Sequence, residues 1–378
     1  MTSDAPPRDR RPDGPIRVAV AGTGAIARHA HLPALRALGG DVDLVAAFDI
    51  DEGAVRGFCA DGGVPHAYTD LDAMLAEQRP DLVVICTPPS LHEEQTTAAL
   101  RAGAWVWCEK PPCRSLAEYD AMQAAEGDGG PYAAIVFQHR FGSGAEHARA
   151  LIAGGAVGRP LVVHCQTTWY RGADYYAAPW RGTWAAEGGG TTMGHGIHQI
   201  DLMLELLGPW AEVRAMAGGL VHDVETEDVS TALVRFASGA LATVVNSALS
   251  PDQVSRIRID CERATIELTH LYQHSNEDWR ITPAPGVAPA ELAAWRDMGE
   301  DVPSSHLAQL RSLVADLRAG RRPRASGADG RTSLELVTAL YKSAWTGAAV
   351  KAGEIDAGDP FYAAPGGPAQ ALRKEQTP

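Results

Sequence analysis

Lys110 stands in the run Glu109-Lys110-Pro111-Pro112, directly after the apolar segment Trp105 to Cys108. An ammonium group at the carboxyl end of a buried strand can hydrogen-bond a substrate hydroxyl and stabilise alkoxide character while a hydride leaves the carbon. Taken alone, the tetrapeptide reads as a surface Lys-Pro turn. A second run, Gly194-His195-Gly196-Ile197-His198-Gln199-Ile200-Asp201, sets two imidazoles three positions apart, neighbours on one helical face. Asp201, one turn after His198, could orient that ring as a carboxylate orients a catalytic histidine. The same spacing is half of a metal site, but zinc needs further ligands, and no Glu or Cys is convincingly placed, so no metal is expected. Gly188-Gly189-Gly190 and Gly194 leave the backbone open ahead of the histidines, which suits close approach by a ligand.

A cofactor signal lies near the N-terminus. Gly22-Thr23-Gly24-Ala25-Ile26-Ala27 follows one apolar run and opens a helical one. The first glycine of such a turn allows the tight reversal, and the second lets the backbone approach a pyrophosphate. The small third residue lets the helix pack closely on the sheet. Asp49 ends the next strand, 25 residues beyond Gly24, near the separation of roughly 20 at which an acid accepts the ribose hydroxyls of NAD. It would repel the 2′-phosphate of NADP, and so would Asp51, with no Arg immediately after, so NAD is favoured over NADP. That Asp49 only caps the following helix stays open. Thr87-Pro88-Pro89 sits where the sheet's carboxyl edge should meet the nicotinamide end, and His92 begins the helix that follows.

Aromatic residues, 6% of the chain, crowd into Trp169-Tyr170-Arg171 and Tyr175-Tyr176-Ala177-Ala178-Pro179-Trp180-Arg181-Gly182-Thr183-Trp184. Such rings stack on sugar C–H faces, and Arg holds hydroxyl or carboxylate oxygens. The same residue types also crowd domain and subunit interfaces. Gln138-His139-Arg140-Phe141 falls at the expected domain junction as a polar pocket wall.

These residues need a scaffold. Apolar runs at Ile16–Ala21, Leu44–Phe48, Leu82–Cys86, Trp105–Cys108 and Ala133–Phe137 predict buried strands. Helices are predicted at Ala25–Leu38, at Leu91–Ala102 and after a Ser115/Glu118 capping box. That alternation means a parallel α/β sheet of Rossmann type covered on both faces. From about Gly158 the pattern changes to hairpins, Glu227–Phe236 with Ala240–Ser247, then Arg256–Cys261 with Ala264–Leu268. They predict an α+β domain with an open, mostly antiparallel sheet. Helices return at Ser305–Ala319 and Ser333–Thr346. The expected division is a disordered tail over residues 1–15, an NAD-binding domain over 16–140, an α+β domain for substrate and oligomerisation over 141–354, and a loose Pro/Gly/Ala-rich tail over 355–378.

Composition agrees with an ordinary globular protein, at 45% hydrophobic and 21% charged residues. A net charge of −14 repels phosphate backbones and anionic membranes, so neither nucleic acid nor membrane is an expected partner. The six scattered cysteines resemble neither a disulfide framework nor a zinc knuckle and suit a reducing compartment. No apolar run approaches the roughly 20 residues of a membrane span, and Met1–Pro15 lacks the apolar core of a signal peptide, so a cytoplasmic location is expected.

The glycine turn, Glu109-Lys110-Pro111, Gly196-x-His198-x-x-Asp201 and the mixed second domain together resemble the glucose–fructose oxidoreductase/inositol dehydrogenase/MocA family, from about Ile16 to Val350. The resemblance implies NAD(P)-linked transfer of hydride between a sugar or cyclitol hydroxyl and nicotinamide, in homodimers or homotetramers joined through the second sheet. It implies Lys110, often followed by a cis proline, as the catalytic lysine and His198 as general base; His195, three positions away on the helix, could assist in place of the acid missing at Gly194. Glu109, Thr87, Pro88 and His92 fall near the cofactor, and Trp180 and Arg181 in the substrate pocket, with Tyr170 and Arg171 beside them. Many members carry an Asp where this chain has Gly194. With that acid missing, an NAD-dependent glycoside hydrolase and a non-catalytic NAD- or sugar-sensing protein stand as alternatives.

Overall fold

A computed structural model describes residues 14–367; the tail reading for Met1–Pro15 falls almost wholly outside them. The apolar runs of the first third form strands β1 (Ile16–Ala21), β2 (Val42–Phe48), β3 (His66–Tyr68), β4 (Leu82–Ile85), β5 (Trp105–Cys108) and β6 (Ala133–Ile135). They make one all-parallel sheet in the order β3-β2-β1-β4-β5-β6. Every residue of β4, β5 and β6 is buried, as a sheet covered on both faces requires. The strand order reverses between β1 and β4, so the loops at their carboxyl ends diverge and leave a crevice.

The segment after β1 departs from the single helix expected over Ala25–Leu38. A π turn spans Ala27–His31 and an α-helix follows over Leu32–Ala37. Pro33 has no N–H to return to the preceding turn, and the ladder widens, with the Leu32 N–H meeting the Ala27 carbonyl. Ser115 caps its helix as expected, but Glu118 closes no reciprocal box. Its carboxylate accepts the Arg114 N–H at 2.8 Å, because the Arg114 guanidinium draws it outward.

The second sheet contains β7 (Pro160–Tyr170), β8 (Trp210–Gly218), β9 (Val229–Phe236), β10 (Leu241–Ser247), β11 (Leu249–Cys261), β12 (Ala264–His270), β13 (Trp279–Pro283) and β14 (Val350–Lys351). Its order is β13-β12-β11-β7-β10-β9-β8-β14, antiparallel except for β7 with β10. Along β9 every second residue is buried, so one face lies on the core and the other is open. The buried helix Ile197–Leu207 packs on the covered face.

Two corrections concern the division of the chain. The helix His306–Ala319, assigned by sequence to the second domain, packs Leu310, Leu313, Val314 and Leu317 among Val18, Val20 and Trp107 of the first. A long-range return of this kind leaves no local trace, since the helix's apolar stripe is the same whichever core it covers. The expected loose tail beginning at Ile355 is docked as far as Gly367. Ile355 and Phe361 enter the core, and Asp359 pairs with Lys342 at 2.6 Å. Its remaining residues, 368–378, lie outside the described ones.

Candidate active site

The glycine turn is shaped by β1 meeting the end of β4. Gly22 has φ +88°, and a Cβ there would lie 2.8 Å from the Cys86 carbonyl carbon and the Thr87 nitrogen, so only glycine fits. Gly24, Ala25 and Ile26 form an exposed lip, and a Cβ on Gly24 would meet nothing within 4 Å. Asp49 accepts the Thr23 N–H and hydroxyl at 2.8 and 2.9 Å through one oxygen and the Asp51 N–H through the other. Capping of the next helix belongs to Asp51, whose carboxylate takes the Ala54 N–H. Asp49 therefore ties the end of β2 to the turn and keeps a carboxylate beside the crevice. The nearby Arg28 pairs with Asp61 at 2.7 Å.

Thr87 and Pro88 line the loop after β4, partly exposed. His92 does not. It is buried, and its two nitrogens lie 2.8 Å from the Pro111 and Thr87 carbonyls, joining the loops after β4 and β5. Glu109 also turns away from the crevice. One of its oxygens meets His31 Nε2 at 2.7 Å and His306 Nε2 at 3.3 Å, and the other accepts the Lys110 N–H. Burial works against this carboxylate, yet the two histidines hold it well below the usual range. These three side chains are of metal-ligating types, and their close contacts are those of a hydrogen-bonded triad.

Lys110, with Pro111 cis after it, leaves β5 and reaches the helix of the second domain. Its Nζ donates to the Gly194 carbonyl at 2.8 Å. Burial lowers its pKa; Glu109 opposes this, while Arg181 and Arg171 add to it. Gly194 lies in a π turn, Thr192–Gly196, that opens the helix carrying His198. The wider turn separates the two histidines that an ideal helix would set side by side. His195 faces Trp169 and Tyr175, with ring centroids 5.0 and 5.6 Å away, and its Nε2 accepts Arg171 Nε at 3.1 Å. His198 stacks on His139 at 4.9 Å with Tyr272 edge-on at 5.8 Å. Both imidazoles are pushed well below their ordinary pKa, by burial first and then by Lys110 for His198 and by Arg171 for His195, so each is neutral at pH 7.

Asp201 does not orient His198. It is fully buried one turn further on, where Arg140 holds it through both oxygens at 2.6 and 2.5 Å and Ser333 donates at 2.7 Å. Glu205 and Asp329 complete the shell around Arg140. Helical spacing would allow the pair, but the buried Arg140 guanidinium claims the carboxylate first. The glycines expected to open the backbone differ from one another. At Gly188, Gly189 and Gly190 the close neighbours are Arg114, the Tyr341 hydroxyl and Glu227, not ligand space; only Gly194 is open. Glu227, expected inside a strand, instead accepts the Gly190 and Thr192 N–H groups and anchors the π turn.

Of the aromatic stretch, Trp169, Tyr175 and Arg171 gather round His195, and Arg181 lies 4.3 Å from the Tyr175 ring centre and pairs with Glu187 at 3.0 Å. Trp180 stacks on Arg181 at 4.2 Å. Tyr170 is half-exposed and contributes its carbonyl to Arg171. Tyr272 and His274 were not predicted. They follow β12 in a loop without local signal, and only the sheet brings them to His198 and His139.

The oxidoreductase family, NAD-binding Rossmann fold, matches residues 16–134, and the GFO/IDH/MocA C-terminal domain matches residues 145–267. D-glucoside 3-dehydrogenase of Escherichia coli is 25% identical over 89% of this chain and 97% of its own. Myo-inositol 2-dehydrogenase of Thermotoga maritima is 27% identical over 90% and 99%. Among solved structures, the WlbA dehydrogenase from Bordetella pertussis, in complex with NADH and UDP-GlcNAcA, superposes with a TM-score of 0.81. It is 28% identical and covers 90% of this chain and 100% of that one. With both of its domains matched, one after the other, the chain belongs to the GFO/IDH/MocA oxidoreductase family.

Proposed function

We propose that this protein is an NAD-dependent dehydrogenase or reductase acting on a secondary hydroxyl, or the corresponding ketone, of a sugar or cyclitol. The observation that carries this is the meeting of Lys110 Nζ with the Gly194 carbonyl at 2.8 Å. It closes the cofactor crevice of one domain against the histidine-bearing helix of the other. Gly22, Gly24, Ala25, Ile26, Asp49, Thr87 and Pro88 would hold the dinucleotide, whose nicotinamide, when bound, accepts or returns a hydride. The carboxylate of Asp49 favours a free ribose 2′-hydroxyl and hence NAD.

Lys110 hydrogen-bonds the reacting oxygen and stabilises its developing negative charge. His198, neutral because it is buried beside Lys110, takes the hydroxyl proton in oxidation and gives it back in reduction. His195 is held by Arg171 and shapes the substrate side. The dehydrogenases of glucosides and inositols among its relatives support the substrate class. The open face of the second sheet exposes Val162, Met216, Leu233 and Leu241. That apolar face supports a homodimer or homotetramer joined there. Among the described residues no helix is long and apolar enough to cross a membrane, and we propose a cytoplasmic location from the unpaired cysteines.

The test is NADH formation by absorbance with NAD or NADP and a panel of sugars and cyclitols, repeated with Lys110→Met. That variant keeps the apolar stem and removes the ammonium. It should lower kcat/KM by about 10²- to 10⁴-fold while NAD binding is retained. Unchanged turnover in Lys110→Met would overturn the assignment.

A further inference from the structure

The substrate side of this site carries more positive charge than its carboxylates balance. Lys110, Arg171 and Arg181 are close enough for both guanidiniums to depress the Lys110 pKa. The Tyr175 ring centre lies 5.3 Å from the Arg171 guanidinium carbon and 4.3 Å from that of Arg181. Glu187 pairs with Arg181, and Glu109 faces the His31/His306 triad. Among the described residues no carboxylate lies within ion-pair distance of Arg171. Its Nε is bonded to the neutral His195, one Nη to a carbonyl, and its face to Trp169. Holding like charges together in a half-buried pocket is costly, and a site for a neutral sugar has no use for it. The protein as a whole is strongly anionic, at −14, so these cations stand against its general field. With NAD⁺ bound, the positively charged nicotinamide would add to the same excess.

We propose that the substrate is a sugar acid, a sugar or cyclitol bearing a carboxylate, and that Arg171 is the residue that selects it. The proposal rests on the dehydrogenase reading above and refines its substrate. Lys110 is committed to the reacting oxygen, so one cation is left over, which matches a carboxylate's single charge better than a phosphate's two. A planar guanidinium steadied against the Trp169 ring also presents the fork geometry that carboxylates accept.

The experiment compares pairs differing only in the acid group, D-glucose with D-glucuronate and D-galactose with D-galacturonate, alongside D-glucose 6-phosphate. Kinetics with NAD are paired with calorimetric binding to the NADH-loaded full chain. The expected kcat/KM for the uronates exceeds that for the neutral sugars by about 10- to 100-fold, the worth of one charged hydrogen bond. Arg171→Gln brings this ratio close to one, chiefly through KM, and Arg171→Lys restores part of it. Equal or better use of neutral sugars, preference for the sugar phosphate, or an equal loss on both sugar types in Arg171→Gln would overturn the proposal. So would the absence of uronate binding to the NADH-loaded chain. Uronate binding without any turnover would sink the dehydrogenase reading while leaving the anion preference standing.

Discussion

Gly194 occupies the place where the family resemblance implies an acid, and Gly194→Asp tests what a carboxylate there would do. The backbone there has no left-handed strain, the residue is partly exposed, and a Cβ would meet nothing within 4 Å. The substitution should therefore fold, with helix propensity slightly in its favour by a few tenths of a kcal/mol. The new carboxylate would stand at the residue whose carbonyl already binds Lys110 Nζ at 2.8 Å, and one helical turn before His198. An opposite charge within about 4–6 Å raises the pKa of a cationic acid by 1–3 units, and partial exposure takes the lower end. We therefore expect about one unit for His198, or about 1.4 kcal/mol. His198 now sits well below its ordinary value, so the sign is upward, and it would gain its proton at higher pH. The acid limb of the kcat/KM–pH profile, read as NADH formation on the best substrate, should move about one unit toward neutral pH. An unmoved limb in a variant with unchanged Tm would refute His198 as the titrating base. A fall in Tm of more than a few degrees would refute the open space at Gly194.

Stability should fall with acidification well before carboxylates titrate. Burial holds His139, His195 and His198 well below 6.5 and His274 at about 4, whereas in the unfolded chain all four bind protons near 6.5. Between about pH 6.5 and 4 the unfolded state thus carries more protons, and the free energy of unfolding drops as pH drops. Asp201, raised to about 6 by burial despite Arg140, binds its proton in the folded state in that window and offsets one histidine. Burial also lowers His31 and His92 and raises Glu187 and Glu227, so six histidines stand against three carboxyls. A net of three protons gives about 4 kcal/mol per pH unit at the steepest point; a Tm that stays flat from pH 7 to 5 by calorimetry would contradict this. Asp201→Ala should cost about 3–5 kcal/mol in urea unfolding, because it strips a buried guanidinium of its forked partner, and Asp201→Asn less. The pH profile of kcat/KM should not change in either variant; a displaced acid limb would return Asp201 to the His198 machinery.

The Rossmann sheet was legible because its strands are short apolar runs separated by helices with their own caps, a pattern set by local spacing. The glycine turn was legible as a strand–turn–helix string, although what makes Gly22 obligatory, the backbone of Cys86 and Thr87, comes from the end of β4. Lys110 and His198 were recognisable only together, through the resemblance, as neither run says where the other lies. What tertiary structure decided was every contact across long separations. The helix His306–Ala319 returns to the first domain, and Ile355 and Phe361 close the core rather than trail from it. Tyr272 and His274 arrive at the site from a loop beyond β12. Asp201 shows the limit most clearly: its spacing from His198 was right for a catalytic pair. Whether a carboxylate orients an imidazole or neutralises an arginine depends on which partner is buried against it, and Arg140 is 61 residues away in sequence. Glycine patterns have the same limit. Gly190 and Gly194 look alike in sequence, but one presses on Glu227 and the other faces open space, because only packing determines what occupies the missing side chain's place.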